Sequence, residues 1–231
     1  MSERGNILFL ILLAVVLFVA LTYAVNSGMR GGGNSGSKES TDAMASELIN
    51  NGALLKAATD RLRMVNGCKD TEVSTCTGTQ YHAGNCLPKT ECRLFHINGG
   101  NLTSIRLPNK NLSAFTTNGG SVGTNGVSYW VADGWHSIPD VGTNTEPELM
   151  IFIPDIRKDV CDAINRAAGI SSMPGSIMSS TPWWMNWNGI YGYNGTSAFT
   201  AFPSQYAGRE FGCFYTNNDG WYNFYQVLIP R

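Results

Sequence analysis

Along residues 7–25 the apolar positions are unbroken, reading ILFLILLAVVLFVALTYAV with no charge and no proline. About 20 apolar residues cross the ~30 Å hydrocarbon core of a bilayer as a helix. A core helix in a water-soluble domain carries a polar face, and this run has none. The pattern predicts a transmembrane helix. Its residues Ile7, Leu8, Phe9, Leu10, Val15, Val16, Phe18 and Leu21 would offer apolar surface to membrane lipid and to other helices.

The pattern then changes twice. Residues 26–37 are rich in glycine and serine and include three consecutive glycines. Each glycine weakens a helix by about 1 kcal/mol relative to alanine, so this stretch reads as a hinge. Over residues 38–66, Met44, Leu48, Leu55, Leu62 and Val65 recur at steps of three, four and seven residues. That one-sided stripe predicts an amphipathic helix, capped by Ser40, Thr41 or Asp42 and ended at Asn66-Gly67. Two roles suit the stripe: lying on the sheet of the following domain, or packing against other copies of the chain.

From Cys68 onward short apolar stretches are punctuated by glycine turns at 98–100, 118–120, 124–126, 132–134 and 218–220. This spacing predicts short antiparallel strands. Residues 149–153 read as an apolar strand, Pro154-Asp155 as a turn and cap, and residues 156–168 as a helix ended by Gly169. The clearest hairpin joins residues 211–216 to residues 221–229 across Asp219-Gly220. Aromatic and β-branched content places the last strand inside the sheet. The predicted fold class is therefore α+β, with a short flank at 1–6, the transmembrane helix at 7–25 and the hinge at 26–37. The amphipathic helix at 38–66 and an extracytoplasmic α+β domain at 67–231 complete it.

The six cysteines, Cys68, Cys76, Cys86, Cys92, Cys161 and Cys213, all follow the apolar run. An even number in a Gly/Asn/Thr-rich domain suggests three disulfides and an oxidising compartment, periplasm or cell surface. Spacing leaves the connectivity open. Cys76 and Cys86 bracket a short polar loop and could close it; Cys161 and Cys213 fall in a predicted helix and strand and could join them. No CxxC pair or HxxxH spacing accompanies the scattered His82, His96 and His136, so no metal site is expected.

Catalytic signatures are missing too: there is no GxSxG, no HExxH, no phosphate-cradling glycine loop and no paired-carboxylate motif. Neither an enzymatic activity nor a cofactor is expected. In Trp135-His136-Ser137 neighbouring strand side chains point to opposite faces, so His136 reads as a surface-loop residue. A net charge of -1 argues against a nucleic-acid partner. Trp183, Trp184, Trp187, Tyr191 and Tyr193 crowd a Gly/Asn-rich stretch. They either offer flat faces to carbohydrate or a surface protein, or fill the core of a leucine-poor domain.

An apolar N-terminal helix, an amphipathic continuation and a small cysteine-bearing antiparallel domain together resemble the type IV pilin-like, or pseudopilin-like, subunits. Glu3-Arg4-Gly5-Asn6 directly before the apolar run is similar to the lead-in of minor pseudopilins of type II secretion. The resemblance implies anchoring in the bacterial inner membrane, packing of the anchor in a filament core, and partners that are other pilin-like subunits or copies of itself. Cleavage after Gly5 would leave Asn6 at the head of the helix; removal of a signal peptide ending at Ala24 and an uncut anchor are the other two fates. Two departures stand out: the fifth residue beyond Gly5 is Leu10 rather than a glutamate, and the basic leader is missing. The missing glutamate suits a tip or minor subunit, or a protein outside the filament. The chain is also similar to exported alphaproteobacterial proteins of unassigned function, which share its opening, its VCDAINRAAGI and its ending GCFYTNNDGWYNFYQVLIPR. The predicted function is a membrane-anchored, pilin-like structural or assembly subunit, its outer domain in periplasm, at the cell surface or on an extracellular filament. The alternative is an anchored binding module that grips carbohydrate or a surface partner through the aromatic stretch.

Overall fold

The computed structural model describes residues 33–75, 87–102, 131–143, 146–171, 200–216 and 220–231. Helix α1 (Gly33–Val65) is followed by β1 (Val131–Asp133), β2 (His136–Ser137) and β3 (Leu149–Ile156). Helix α2 (Lys158–Ala168), β4 (Thr200–Ala201), β5 (Phe211–Thr216) and β6 (Trp221–Ile229) complete the order. The chain divides into two compact units, Met1–Thr41 and Asp42–Arg231. Of the first, only residues 33–41 are described, and they are helical. The helix thus begins at Gly33, inside the stretch whose glycines read as hinge. A helix with an established nucleus gains a hydrogen bond per added residue, which offsets weak propensity near its end.

In the second unit four strands form an antiparallel sheet in the order β1-β3-β6-β5. Strand β6 is internal, as its composition predicts. The β5–β6 hairpin sets Cys213 opposite Phe224 and Tyr215 opposite Tyr222, with Gly220 at φ 71° in the turn.

Side chains alternate across this sheet with the period of two that a strand imposes. On one face Leu149, Ile151 and Ile153 of β3 and Phe224 and Leu228 of β6 are buried against Leu48, Leu55 and Leu62 of α1 and Ile164 of α2. On the other, Met150, Phe152, Phe214, Tyr225 and Val227 pack with Ile138, Phe202 and Tyr206 from irregular segments. The stripe on α1 therefore serves the sheet. Val65, predicted to belong to it, is instead 72% exposed, because it lies about 60° round the helix from Leu62, beyond the edge of the buried stripe.

Three local expectations are corrected. Strand β3 does not turn at Pro154-Asp155 but runs to Ile156, with a register irregularity between Ile153 and Ile156. Proline cannot donate to a ladder, so the strand bulges there, and Ile156 returns to pair with Tyr222 and is fully buried. Helix α2 then starts at Lys158 after an extended Arg157, and ends as predicted at Gly169, φ 71°. Finally, β2 and β4 pair in parallel, as does the isolated bridge between Ser74 and Arg93. The long stretch of chain between β2 and β4 permits a parallel return that a tight turn would forbid.

Two disulfides fasten the described residues: Cys68–Cys92 and Cys161–Cys213. The first ties the chain just beyond α1 to the turn at Thr90–Cys92, and the second ties α2 to β5. The domain is thus an α+β, disulfide-stapled structure built on an antiparallel sheet.

Candidate functional site

Strand β3 is preceded by an acidic residue that has no exposed surface. Glu148 is 0% accessible, and its Oε2 accepts the N–H of Ile138 at 3.0 Å. Its own N–H donates to the carbonyl of His136 at 3.0 Å. The remaining oxygen, Oε1, has no hydrogen-bond partner among the described residues. Burial pushes this carboxyl up to about 7, against the lowering by its own N–H and that of Ile138. Beside it, His136 is not a surface-loop residue as expected. It is 3% exposed in β2, with its ring edge-on to Phe152 at 6.0 Å and to Phe202 at 5.9 Å. The aromatic side of the sheet needs covering, and the β2–β4 pair supplies the cover. A carboxyl buried in this way favours its protonated form.

A second polar group is buried where α2 meets β5. Asn165 stands one turn beyond Cys161 and so on the same face of α2. Its Nδ2 donates to Cys213 O at 2.9 Å, and its Oδ1 accepts Cys213 N–H at 2.8 Å. The Tyr206 hydroxyl donates to the same carbonyl at 2.9 Å, and burial pushes that phenol up from its usual value. The side chain of an asparagine here does for β5 what a neighbouring strand would do.

A third feature faces solvent. Ala43, Glu47, Asn50, Ala53, Leu54, Ala57, Arg61, Met64 and Val65 form the exposed side of α1. Among them Leu54 is 55% exposed, Met64 81% and Val65 72%. Ile97, in the turn after Cys92, is also bare.

Most of the residues singled out by sequence lie outside the described residues. These are Gly5 and Asn6, the apolar helix at 7–25 with Ile7, Leu8, Phe9, Leu10, Val15, Val16, Phe18 and Leu21, the cysteines Cys76 and Cys86, and the aromatics Trp183, Trp184, Trp187, Tyr191 and Tyr193. Among the described residues no helix is long and apolar enough to cross a membrane, and no group of three or more metal-ligating side chains converges. Glu148, Asn165 and the outward face of α1 carry no motif. Asn165 alone left a signal, a polar residue on the same helix face as a cysteine and two turns of apolar positions.

Compared with known proteins, the chain matches no family model, and no curated protein or solved structure is significantly similar to it.

Proposed function

We propose that this chain is a membrane-anchored, pilin-like structural or assembly subunit of a type IV pilus or type II secretion-like system. In this reading the apolar run at residues 7–25 holds the protein in the bacterial inner membrane, and residues 67–231 stand in the periplasm, at the cell surface or on a filament. Its work is mechanical rather than catalytic: helix–helix association with other pilin-like subunits or copies of itself, and display of the outer domain. The observation that carries the reading is α1, laid by its apolar stripe along one face of an antiparallel sheet in a domain closed by disulfides. An amphipathic helix in that position, following an apolar segment of bilayer length, is the arrangement that links an anchor to an exported head. The disulfides support an oxidising compartment.

The intact mass of the protein from its native host, measured without reduction, tests the reading. Loss of the first five residues supports a prepilin-type subunit, and a full-length mass supports a permanent anchor. A product beginning at Val25 would mean a freely secreted domain and would sink the proposal.

A further inference from the structure

We infer that the outward face of α1 is a self-complementary docking surface for a second copy of this chain, with a two-fold axis passing at Leu54. Five exposed residues define it: Ala43, Glu47, Leu54, Arg61 and Val65. Seven residues are close to two helical turns and eleven close to three, so all five fall on one stripe, within about 20° of Leu54. Their order is symmetrical about that leucine. Glu47 and Arg61 stand seven positions to either side, and Ala43 and Val65 eleven positions to either side.

Charge chooses the partner and its direction. Glu47 and Arg61 are about 21 Å apart along their own helix, too far to meet, and neither has an ion-pair partner among the described residues. An antiparallel second copy centred on Leu54 sets Glu47 of each chain opposite Arg61 of the other, and Ala43 of each opposite Val65 of the other. A parallel copy sets acid against acid and base against base. An isologous contact repeats every pairing, so the favourable arrangement is favourable twice. Ala57, one turn beyond Leu54, is also exposed, and its small side chain lets helix axes approach to about 8 Å. Leu54 and Val65 then leave water on both sides of the axis. The opposite face of α1 is already occupied by the sheet, so this pairing costs the fold nothing. It needs neither an anchor nor a filament, and stands or falls apart from the proposed function.

One helix face is smaller than the ~800 Å² per partner of a standard interface, so the complex exchanges quickly and covalent trapping reads it best. Full-length protein carrying Leu54→Cys, in detergent or in membranes, is oxidised mildly and run without reduction. A thiol-sensitive band of twice the chain mass is expected. Arg61→Glu in that background is expected to lower its yield about tenfold, through two repulsions in place of two attractions. The exchange of both charges, Glu47→Arg with Arg61→Glu, is expected to restore it to within about twofold. Leu54, Glu47 and Arg61 are exposed, and unchanged far-UV and near-UV spectra will show that the variants fold. Absence of the band in folded protein, a yield indifferent to Arg61→Glu, or an adduct of another mass would each overturn the inference.

Discussion

Gly52 of α1 lies directly on Gln226 of β6: a Cβ on Gly52 would stand 2.9 Å from Gln226 Oε1 and 3.2 Å from its Cβ. Gln226 cannot simply swing aside, because its Nε2 is held by Glu210 O at 3.3 Å and Val227 O at 3.0 Å. Helix and sheet therefore meet here as closely as a residue without a side chain allows. Alanine in mid-helix gains about 1 kcal/mol of propensity over glycine, while overpacking a core costs about 1–3 kcal/mol. Gly52→Ala is expected to destabilise slightly, and Gly52→Val by about 3 kcal/mol. Urea unfolding measures both, and Gln226→Ala should relieve the alanine variant.

Asn165 offers a sharper test. Removing its amide strands the buried Cys213 N–H, since Tyr206 reaches only the carbonyl. An unsatisfied buried donor costs about 1–3 kcal/mol beyond the bond itself, so Asn165→Ala should lose roughly 2–4 kcal/mol. Asn165→Asp keeps the acceptor and loses the donor. Its loss should be greater at pH 8 than at pH 4, where the introduced carboxyl is protonated; a loss unchanged across that range would contradict the account.

These two residues mark the boundary of what sequence reading reaches. The hairpin of β5 and β6 is legible because Asp219-Gly220 separates two apolar runs, and α1 because its leucines repeat with helical spacing. Long-range decisions leave no such trace. Strands β2 and β4 are two residues each and carry no period, and their parallel pairing depends on the path of a distant return. Glu148 and His136 are polar side chains that a sequence assigns to the surface; only the neighbouring aromatic layer shows why they are inside. Val65 matches the stripe in spacing yet sits a fraction of a turn off the buried side. The Cys161–Cys213 bond could be suggested from a helix and a strand, whereas Cys68–Cys92 joins segments with no regular structure to align them.

The two disulfides close loops of different length, 24 and 52 residues of separation. In the chain-entropy account the longer loop constrains the unfolded state more, by about 0.7 kcal/mol. Replacing Cys161 and Cys213 by alanine is expected to cost about 3–5 kcal/mol, somewhat more than replacing Cys68 and Cys92. Thermal denaturation of the two double variants under oxidising conditions compares them.

Glu148 predicts a pH dependence with a definite sign. Its carboxyl is held up at about 7 in the folded protein against the ordinary 4.5 of a free glutamate. The folded state thus keeps a proton that the unfolded chain releases. The stabilising effect is complete below about pH 4.5 and is lost as pH rises through 7, on the order of 3 kcal/mol in all. Glu148→Gln, uncharged throughout, should flatten the stability profile between pH 5 and 8. A profile as steep in the variant as in the parent would place the titration elsewhere.

Cys213 occupies the middle of β5, the end of the described sheet order, and its outward N–H and C=O are both taken by Asn165. A strand from another molecule seeking to extend the sheet past β5 finds its template already spoken for. Edge strands left bare invite that kind of growth, towards amyloid or swapped domains. Here a single carboxamide, backed by a covalent bond four residues before it, blocks that border at Cys213. A strand added at this position would first have to displace that carboxamide.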